Sequence, residues 1–330
     1  MNLTYFFRHK IQGRYSIEFI FEPFISKIPG ARAVYVPFLA FGLISIIRNI
    51  YFVRRRQRTI NHVTGDIHYV ILGLSRKNYK VLTIHDCGIL VDPTKPKWKL
   101  LILKYLWFKW PVRWADIVTT VSEKSKEEIV QFANCPPSKI VVIPNYINPG
   151  FVFQQKEFNL IRPRILHIGS TKNKNLNRVI KALKGLDCEL RIVGLISAED
   201  ADLLRSNAIL YTQLLNASFE EVIQEYCDTD IVLFVSTYEG FGLPILEAQA
   251  TGRVLITSDI SPCREIAGTG ALCVNPHSIE EIREAIENVM NSEILRSEII
   301  ASGLRNVRRY SMDVVLKEYM EVYSLSNNRS

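Results

Sequence analysis

Short apolar runs recur at roughly 25-residue intervals along this chain of 330 residues, with helical patterns between them. That alternation demands parallel strands, since each strand must return to the same edge of its sheet through a helix. In the first half, strands are expected at 3–8, 32–38, near 59–63, and at 80–85, 116–122 and 139–144. In the second half they are expected at 164–170, 189–194, 208–211, 230–236, 253–258 and 271–276. The pattern restarts near Arg164, after a polar stretch at 154–163 that reads as a linker. The expected fold is therefore α/β, with two doubly wound, Rossmann-like domains, 1–157 and 158–310, facing each other across an interdomain cleft. Ligands of such sheets bind beyond the carboxyl ends of the strands, so the loops that follow strands are where chemistry is expected.

Composition agrees with a folded enzyme-sized protein. Hydrophobic residues make up 48% and charged residues 22%, which excludes a disordered chain, a collagen and a coiled coil. Six cysteines are scattered without a C-x-x-C pair. That spacing argues against a disulfide framework and against a zinc site, and it fits a reducing cytosol.

Charge is uneven. Residues 1–160 carry 23 Lys and Arg against 10 Asp and Glu, an excess of 13 positive charges, whereas residues 161–330 carry 18 against 23. The first half should therefore face an anionic partner: a membrane surface, a nucleic acid or a phosphorylated substrate. The longest apolar run, 33–47, is closed by Arg32 and Arg48 and interrupted by Pro37 and Gly42. It falls short of the ~20 residues a spanning helix needs, so it reads as a buried strand followed by an apolar helix. The first ten residues have no apolar core behind a basic start, and no signal peptide is expected. Two stretches mix cations with aromatic rings. Residues 95–114 combine Lys95, Lys97, Lys99, Lys104, Lys109 and Arg113 with Trp98, Trp107, Trp110 and Trp114. Tryptophan with Lys or Arg suits the lipid headgroup zone, so contact with an anionic membrane surface is expected there. Residues 48–58, with Arg54, Arg55, Arg56 and Arg58, read equally as a solvated face. No nucleic-acid module accompanies either stretch, and no nucleic acid partner is expected.

The most informative segment is DIVLFVSTYEGFGLPILEAQATG, 230–252. A strand ends at Ser236, a loop follows, Pro244 suits a first helical turn, and Gly252 suits a left-handed cap. Gly240 and Gly242 let backbone amides approach a ligand, and the amides of the helix start favour an anion. Glu239 on the loop and Glu247 in the helix, seven residues between them, are acceptors suited to sugar hydroxyls. A second segment, RILHIGSTKNKNL (164–176), is a strand, a loop and a helix start near Asn175. Lys172 and Lys174 would lie at the helix's positive end, a conflict that a bound anion removes. Two solvated lysines are the other reading.

The 230–252 segment resembles the donor-binding signature of retaining glycosyltransferases of family 4, which have the GT-B fold. The resemblance implies that Glu239 contacts the transferred sugar, that Glu247 holds the ribose, and that Gly240, Phe241, Gly242 and Leu243 supply amides. It implies that Lys174, after Gly169, neutralises the nucleotide diphosphate. The arginine that often accompanies this lysine is absent, since Ser170 follows Gly169 and only Lys172 is near. His85, ending the strand KVLTIHD (80–86), matches a histidine reaching toward the bound sugar; a core or turn histidine is the alternative. Gly13 would let diphosphate approach the first domain, and Glu265 would stand at the nucleotide end of the cleft. The last helix, within 311–327, would cross back onto the first domain.

What the resemblance implies is a metal-independent, retaining hexosyltransferase with a nucleotide-sugar co-substrate and no cofactor. Its acceptor would be a glycan or a lipid-linked sugar in surface polysaccharide or lipopolysaccharide synthesis, and its place the cytoplasmic face of the cell membrane. The triplet Asp228-Thr229-Asp230 precedes a strand, the wrong end for a metal-bound donor. The rival readings are a GT-B phosphorylase and a lipid- or nucleic-acid-binding module on a degenerate enzyme.

Overall fold

The computed structural model describes residues 1–10, 16–40, 42–91 and 95–329. The chain forms two compact units, one of Met1–Tyr146 with Asp313–Ser330, the other of Ile147–Met312.

In the first unit six parallel strands form one sheet. They are β1 (Leu3–Phe7), β2 (Ala31–Tyr35), β3 (Ile60–Val63), β4 (Tyr79–Ile84), β5 (Ile117–Thr120) and β6 (Ile140–Val142), in the order β2-β1-β3-β4-β5-β6. The second unit repeats the plan with β7 (Arg164–Ile168), β8 (Glu189–Val193), β9 (Tyr211–Leu214), β10 (Ile231–Phe234), β11 (Val254–Ser258) and β12 (Leu272–Val274), in the order β12-β11-β10-β7-β8-β9. Strand order reverses between β1 and β3 in the first sheet and between β7 and β10 in the second. At such a point the two following loops diverge to opposite faces and leave a crevice. The central strands β1, β10 and β11 are buried along their whole length, which is why their sequences are continuously apolar rather than alternating.

Three expectations need correction. The strand expected at 208–211 lies at Tyr211–Leu214. Ala208 takes a left-handed φ of 53°, and the Ile209 amide donates to the Leu204 carbonyl, so these residues close the preceding helix instead. The apolar run 33–47 holds the expected strand and apolar helix, but the strand is not buried. β2 is an edge strand and only partly covered, and the helix Leu43–Arg54 leaves Leu43 69%, Ile44 68% and Ile47 55% exposed. The stretch 154–163 is not the division between units, which falls between Tyr146 and Ile147. Residues that follow the division are fastened to the second unit. Phe151 packs edge-on against Phe219 and Tyr226, Lys156 pairs with Asp230, and Arg253 donates to the Gln154 carbonyl. A Cβ at Gly252 would lie 2.6 Å from the Phe153 ring.

The helix Met312–Ser324 belongs to the first unit. Its Tyr323 is fully buried and joins a polar relay beneath the sheet. Thr83 Oγ1 lies 2.6 Å from His62 Nε2, His62 Nδ1 lies 2.7 Å from the Tyr323 hydroxyl, and Tyr323 donates to Tyr5 at 2.9 Å. With Tyr323 donating onward, His62 Nδ1 carries the proton and Nε2 accepts from Thr83. Burial pushes His62 down to about 3, so the ring is neutral, as this relay requires. All six cysteines are free thiols. Among the described residues no helix is long and apolar enough to cross a membrane.

Tyr323→Phe removes the acceptor for His62 Nδ1–H and leaves a buried donor unsatisfied. Urea unfolding of the first unit's transition should lose about 1–3 kcal/mol; an unchanged midpoint would show that water replaces the phenol.

Candidate active site

The carboxyl ends of β7 and β10 carry the loops at the second sheet's reversal point. After β7, Gly169 adopts φ 86°, and a Cβ there would meet the Lys174 side chain at 3.0 Å. Glycine thus lets the loop fold over its own lysine. Residues Lys172–Lys174 form a single 3₁₀ turn, and Asn175 in the left-handed region starts the helix Leu176–Leu183. Asn175 is buried, and its amide donates to the carbonyls of Val235 (2.9 Å) and Pro276 (2.7 Å). Next to it, Asn173 donates to the Tyr238 carbonyl (3.0 Å), while the Thr237 amide donates to the Asn173 carbonyl (2.8 Å). Both asparagines tie the β7 loop to the β10 loop.

After β10 the chain runs through Glu239 and Gly240 to Gly242, whose φ of 109° turns it into the helix Leu243–Thr251. Phe241 is buried against Tyr310, and Pro244 stands in the first turn. No side chain caps this helix start, and Gly252, at φ 73°, ends the helix. Pro244 has no N–H and the Ile245 amide donates to the Gly242 carbonyl, so the Leu243 amide is the helix-start donor that points to a ligand.

These two loops bring Lys174 and Glu239 into an ion pair, Nζ to Oε1 2.6 Å, with 20% and 13% of the side chains exposed. The ammonium also lies 4.7 Å from the centre of the Phe234 ring. The conflict expected between Lys174 and the positive helix end is thus relieved within the protein, by Glu239. Glu247 lies one turn along the helix and is largely buried. The Tyr226 hydroxyl donates to its Oε2 at 2.5 Å. Burial pushes the Glu247 carboxyl up to about 7, while Tyr226 and the charge of Lys174 pull it back down. Lys174 therefore acts on both glutamates.

The other expected residues are placed as follows. Lys172 is exposed at the start of the 3₁₀ turn. Glu265 is exposed on the short helix Cys263–Ala267, and no described hydrogen bond joins it to Lys174, Glu239 or Glu247. His85 follows β4 in the first unit, and its Nε2 donates to the Thr64 carbonyl at 2.8 Å. A Cβ at Gly65 would meet its ring at 2.7 Å. The ring is thus fixed with Nδ1 as its acceptor in the neutral form. Gly13 lies outside the described residues. Asp230 accepts from Lys156 and from the Asn159 and Arg164 amides, a structural role at the amino end of β10. Among the described residues no group of three His, Cys, Asp or Glu side chains gathers as for a metal ion.

Sequence reasoning missed Tyr226, Asn173 and Asn175, and also Arg8. Arg8 follows β1 and makes a forked pair with Glu18 (3.0 Å) and a second pair with Asp66 (2.5 Å). Tyr226 sits on the preceding helix, 21 residues from Glu247, so no local spacing announces it.

Comparison with known proteins decides the family. The model of the family described as "Glycosyltransferase Family 4" matches residues 14–151, and that of "Glycosyl transferases group 1" matches 151–305. The chain belongs to glycosyltransferase family 4. Its relatives include the O-antigen chain mannosyltransferase RfbU of Salmonella typhimurium, 28% identical over 64% of this chain and 60% of that protein. The serotype-specific mannosyltransferase WbdA of Escherichia coli is 24% identical over 60% of this chain. The chain spans 27% of the length of WbdA, and less than two thirds of RfbU. Among solved structures, Anabaena Alr3699/HepE in complex with UDP and glucose superposes with a TM-score of 0.77 at 14% identity, over 98% of this chain and 100% of that one. The two six-stranded Rossmann-like units are those of the GT-B fold.

If Glu247 accepts hydrogen bonds from a nucleotide, its ionised form does so best, since protonation turns one of its oxygens into a donor. Nucleotide affinity should then rise with pH through about 7, as the carboxyl loses its proton. Calorimetric titration between pH 6 and 8 checks this. Tyr226→Phe removes a bond that lowers the carboxyl's pKa, so the midpoint should move upward, and Glu247→Gln should abolish it.

Proposed function

We propose that this chain transfers a hexose from a nucleotide-sugar donor to a glycan or lipid-linked acceptor, with retention of configuration, in surface-polysaccharide synthesis. The observation that carries the reading is the Lys174–Glu239 pair at the second sheet's reversal point, with Glu247 within the field of the same lysine. The mannosyltransferase names of RfbU and WbdA, and the UDP bound by Alr3699/HepE, support the reaction class and the kind of donor.

In this reading Lys174 and the amides of Gly240 to Leu243 receive the departing diphosphate, with Lys172 as the second cation. Electrostatic stabilisation of that leaving charge is the main task, and a fixed ammonium meets it without reorganisation. When the diphosphate takes Lys174, Glu239 is released to accept from sugar hydroxyls. Glu247 holds the ribose. In this reading neither carboxylate serves as a covalent nucleophile: Glu239 stands on the loop, and Glu247, a turn along the helix, accepts from the Tyr226 hydroxyl, which is not the paired-carboxylate arrangement of a glycosidase. The departing phosphate takes the acceptor's proton, and the acceptor attacks from the same face. The first unit binds the acceptor. Residues 95–114 hold that unit against the inner face of an anionic membrane.

Glu247→Ala should mainly raise the donor KM, and Lys174→Ala should lower kcat by about a hundredfold or more, the scale of losing one stabilising donor. A screen of nucleotide sugars for protection against heat identifies the donor. Protection by sugar phosphate and inorganic phosphate, with none by any nucleotide sugar, would point instead to a phosphorylase.

A further inference from the structure

The helix Lys97–Trp114 is continuous but not uniform. Lys97–Leu103 is α-helical, Lys104–Lys109 makes a π turn, and Trp110–Trp114 returns to α. A π turn inserts one residue and so rotates the following side chains. Trp98, Leu101 and Ile102 are exposed before it, Tyr105 within it, and Trp110 and Arg113 after it. At about 100° per residue a regular helix would set Trp110 about 120° round from Trp98, and one inserted residue brings it back toward the stripe. Phe108, Pro111 and Val112 face inward.

At the far end of this stripe is a cavity of about 740 Å³ at the amino ends of β4 and β5, away from His85. Arg76, Lys80, Arg113 and Lys139 line it with Trp110 and Trp114, against one carboxylate, Asp116. Three of these cations have partners. Arg76 lies 4.7 Å from the centre of the Trp114 ring, Lys80 pairs with Asp116 at 2.8 Å, and Lys139 donates to the Arg113 carbonyl at 3.2 Å. Lys139 shows the resulting crowding. Burial pushes its ammonium down, Asp116 pulls it up, and Lys80 and Arg113 push it down again. A bound anion would relieve that repulsion.

We propose that this cavity binds the phosphate of an anionic membrane lipid, with the stripe Trp98–Trp110 lying in the adjoining interface. Arg76, Arg113 and Lys139 would hold the phosphate oxygens, and Trp110 and Trp114 would flank the glycerol. The first unit would thus recognise a headgroup rather than only being attracted by diffuse charge. The inference rests on the membrane-facing reading of residues 95–114 and adds to it a discrete site, separate from the donor loops.

The test is vesicle co-sedimentation of the full chain. Neutral phosphatidylcholine vesicles are compared with vesicles given equal surface charge by phosphatidylglycerol or by oleate, a carboxylate without an added phosphate. The wild type should prefer phosphatidylglycerol. Arg113→Ala/Lys139→Ala should lose about thirtyfold in affinity for it and lose the preference, given the worth of two cations near an anionic surface. Arg54→Ala/Arg55→Ala removes equal charge outside the cavity and should keep the preference. The single variant Arg113→Gln, at an exposed position, repeats the test with the Lys139 side chain retained. Equal binding of the wild type to both anionic vesicles, or equal losses in both double variants, overturns the cavity while leaving membrane contact intact. No binding to any vesicle overturns the membrane reading as well. Saturable quenching of tryptophan by sn-glycerol 1-phosphate without vesicles, lost in Arg113→Gln and without effect on vesicle binding, would assign the cavity to a soluble phosphate and overturn the lipid.

Discussion

The Lys174–Glu239 ion pair makes one site out of two loops that are about 65 residues apart in sequence. Each partner is mostly buried, so each would be costly to leave alone. Gly169 allows the lysine loop to fold tightly, Gly242 turns the glutamate loop into its helix, and Asn173 and Asn175 fix one loop against the other. The pair is also self-cancelling. A phosphate that takes the ammonium removes the charge that neutralises the carboxylate. Binding at one end of a ligand therefore frees an acceptor for the other end, and the coupling needs no movement larger than a side-chain rotation.

The two glutamates differ because their partners differ. Glu239 faces a permanent cation and lies at the mouth of the loop. Glu247 faces a phenol and is sunk beside the helix, where desolvation outweighs both the hydrogen bond and the more distant lysine. A carboxyl poised near neutrality gains from any ligand that hydrogen-bonds its ionised form. That is a different task from meeting a charge, and it fits a neutral hydroxyl better than a second cation.

Much of this was legible in the sequence because it is local. Eleven of the twelve strands lie where apolar runs were read, and the turn from Ser236 through Gly242 to Pro244 follows from residue types alone. The misses have one cause: tertiary partners. Ala208–Tyr211 carries a strand's composition, yet the preceding helix uses Ala208 and Ile209 to terminate. Residues 154–163 look like a linker because they are polar, but Lys156 and Gln154 spend that polarity on Asp230 and Arg253. The burial of the 33–47 run failed for a complementary reason. Hydrophobicity does not reveal which side of a sheet's edge is covered, and β2 proved to be an edge. Tyr226 could not be read at all, since its role depends on two helices lying side by side.

The placement of positive charge in the first unit separates two uses that net charge alone conflates. At the carboxyl ends of β1 and β3, Arg8 is matched by Glu18 and Asp66, so this edge of the sheet is close to neutral in its ion pairing. Elsewhere the cations keep company with rings: Arg48 with Phe38, Arg55 with Tyr51, Lys99 with Trp98 and Lys109 with Tyr105. The helix Leu43–Arg54 and the π turn Lys104–Lys109 both pack around His68–Gly73, Trp107 lying 4.8 Å from Tyr69 between ring centres. Both elements therefore turn their exposed aromatic and aliphatic side chains outward from one layer of the unit. A charged ligand at the strand ends would need the first arrangement to be open. The second arrangement is the one on which the proposed contact with a surface apolar within and anionic at its boundary rests.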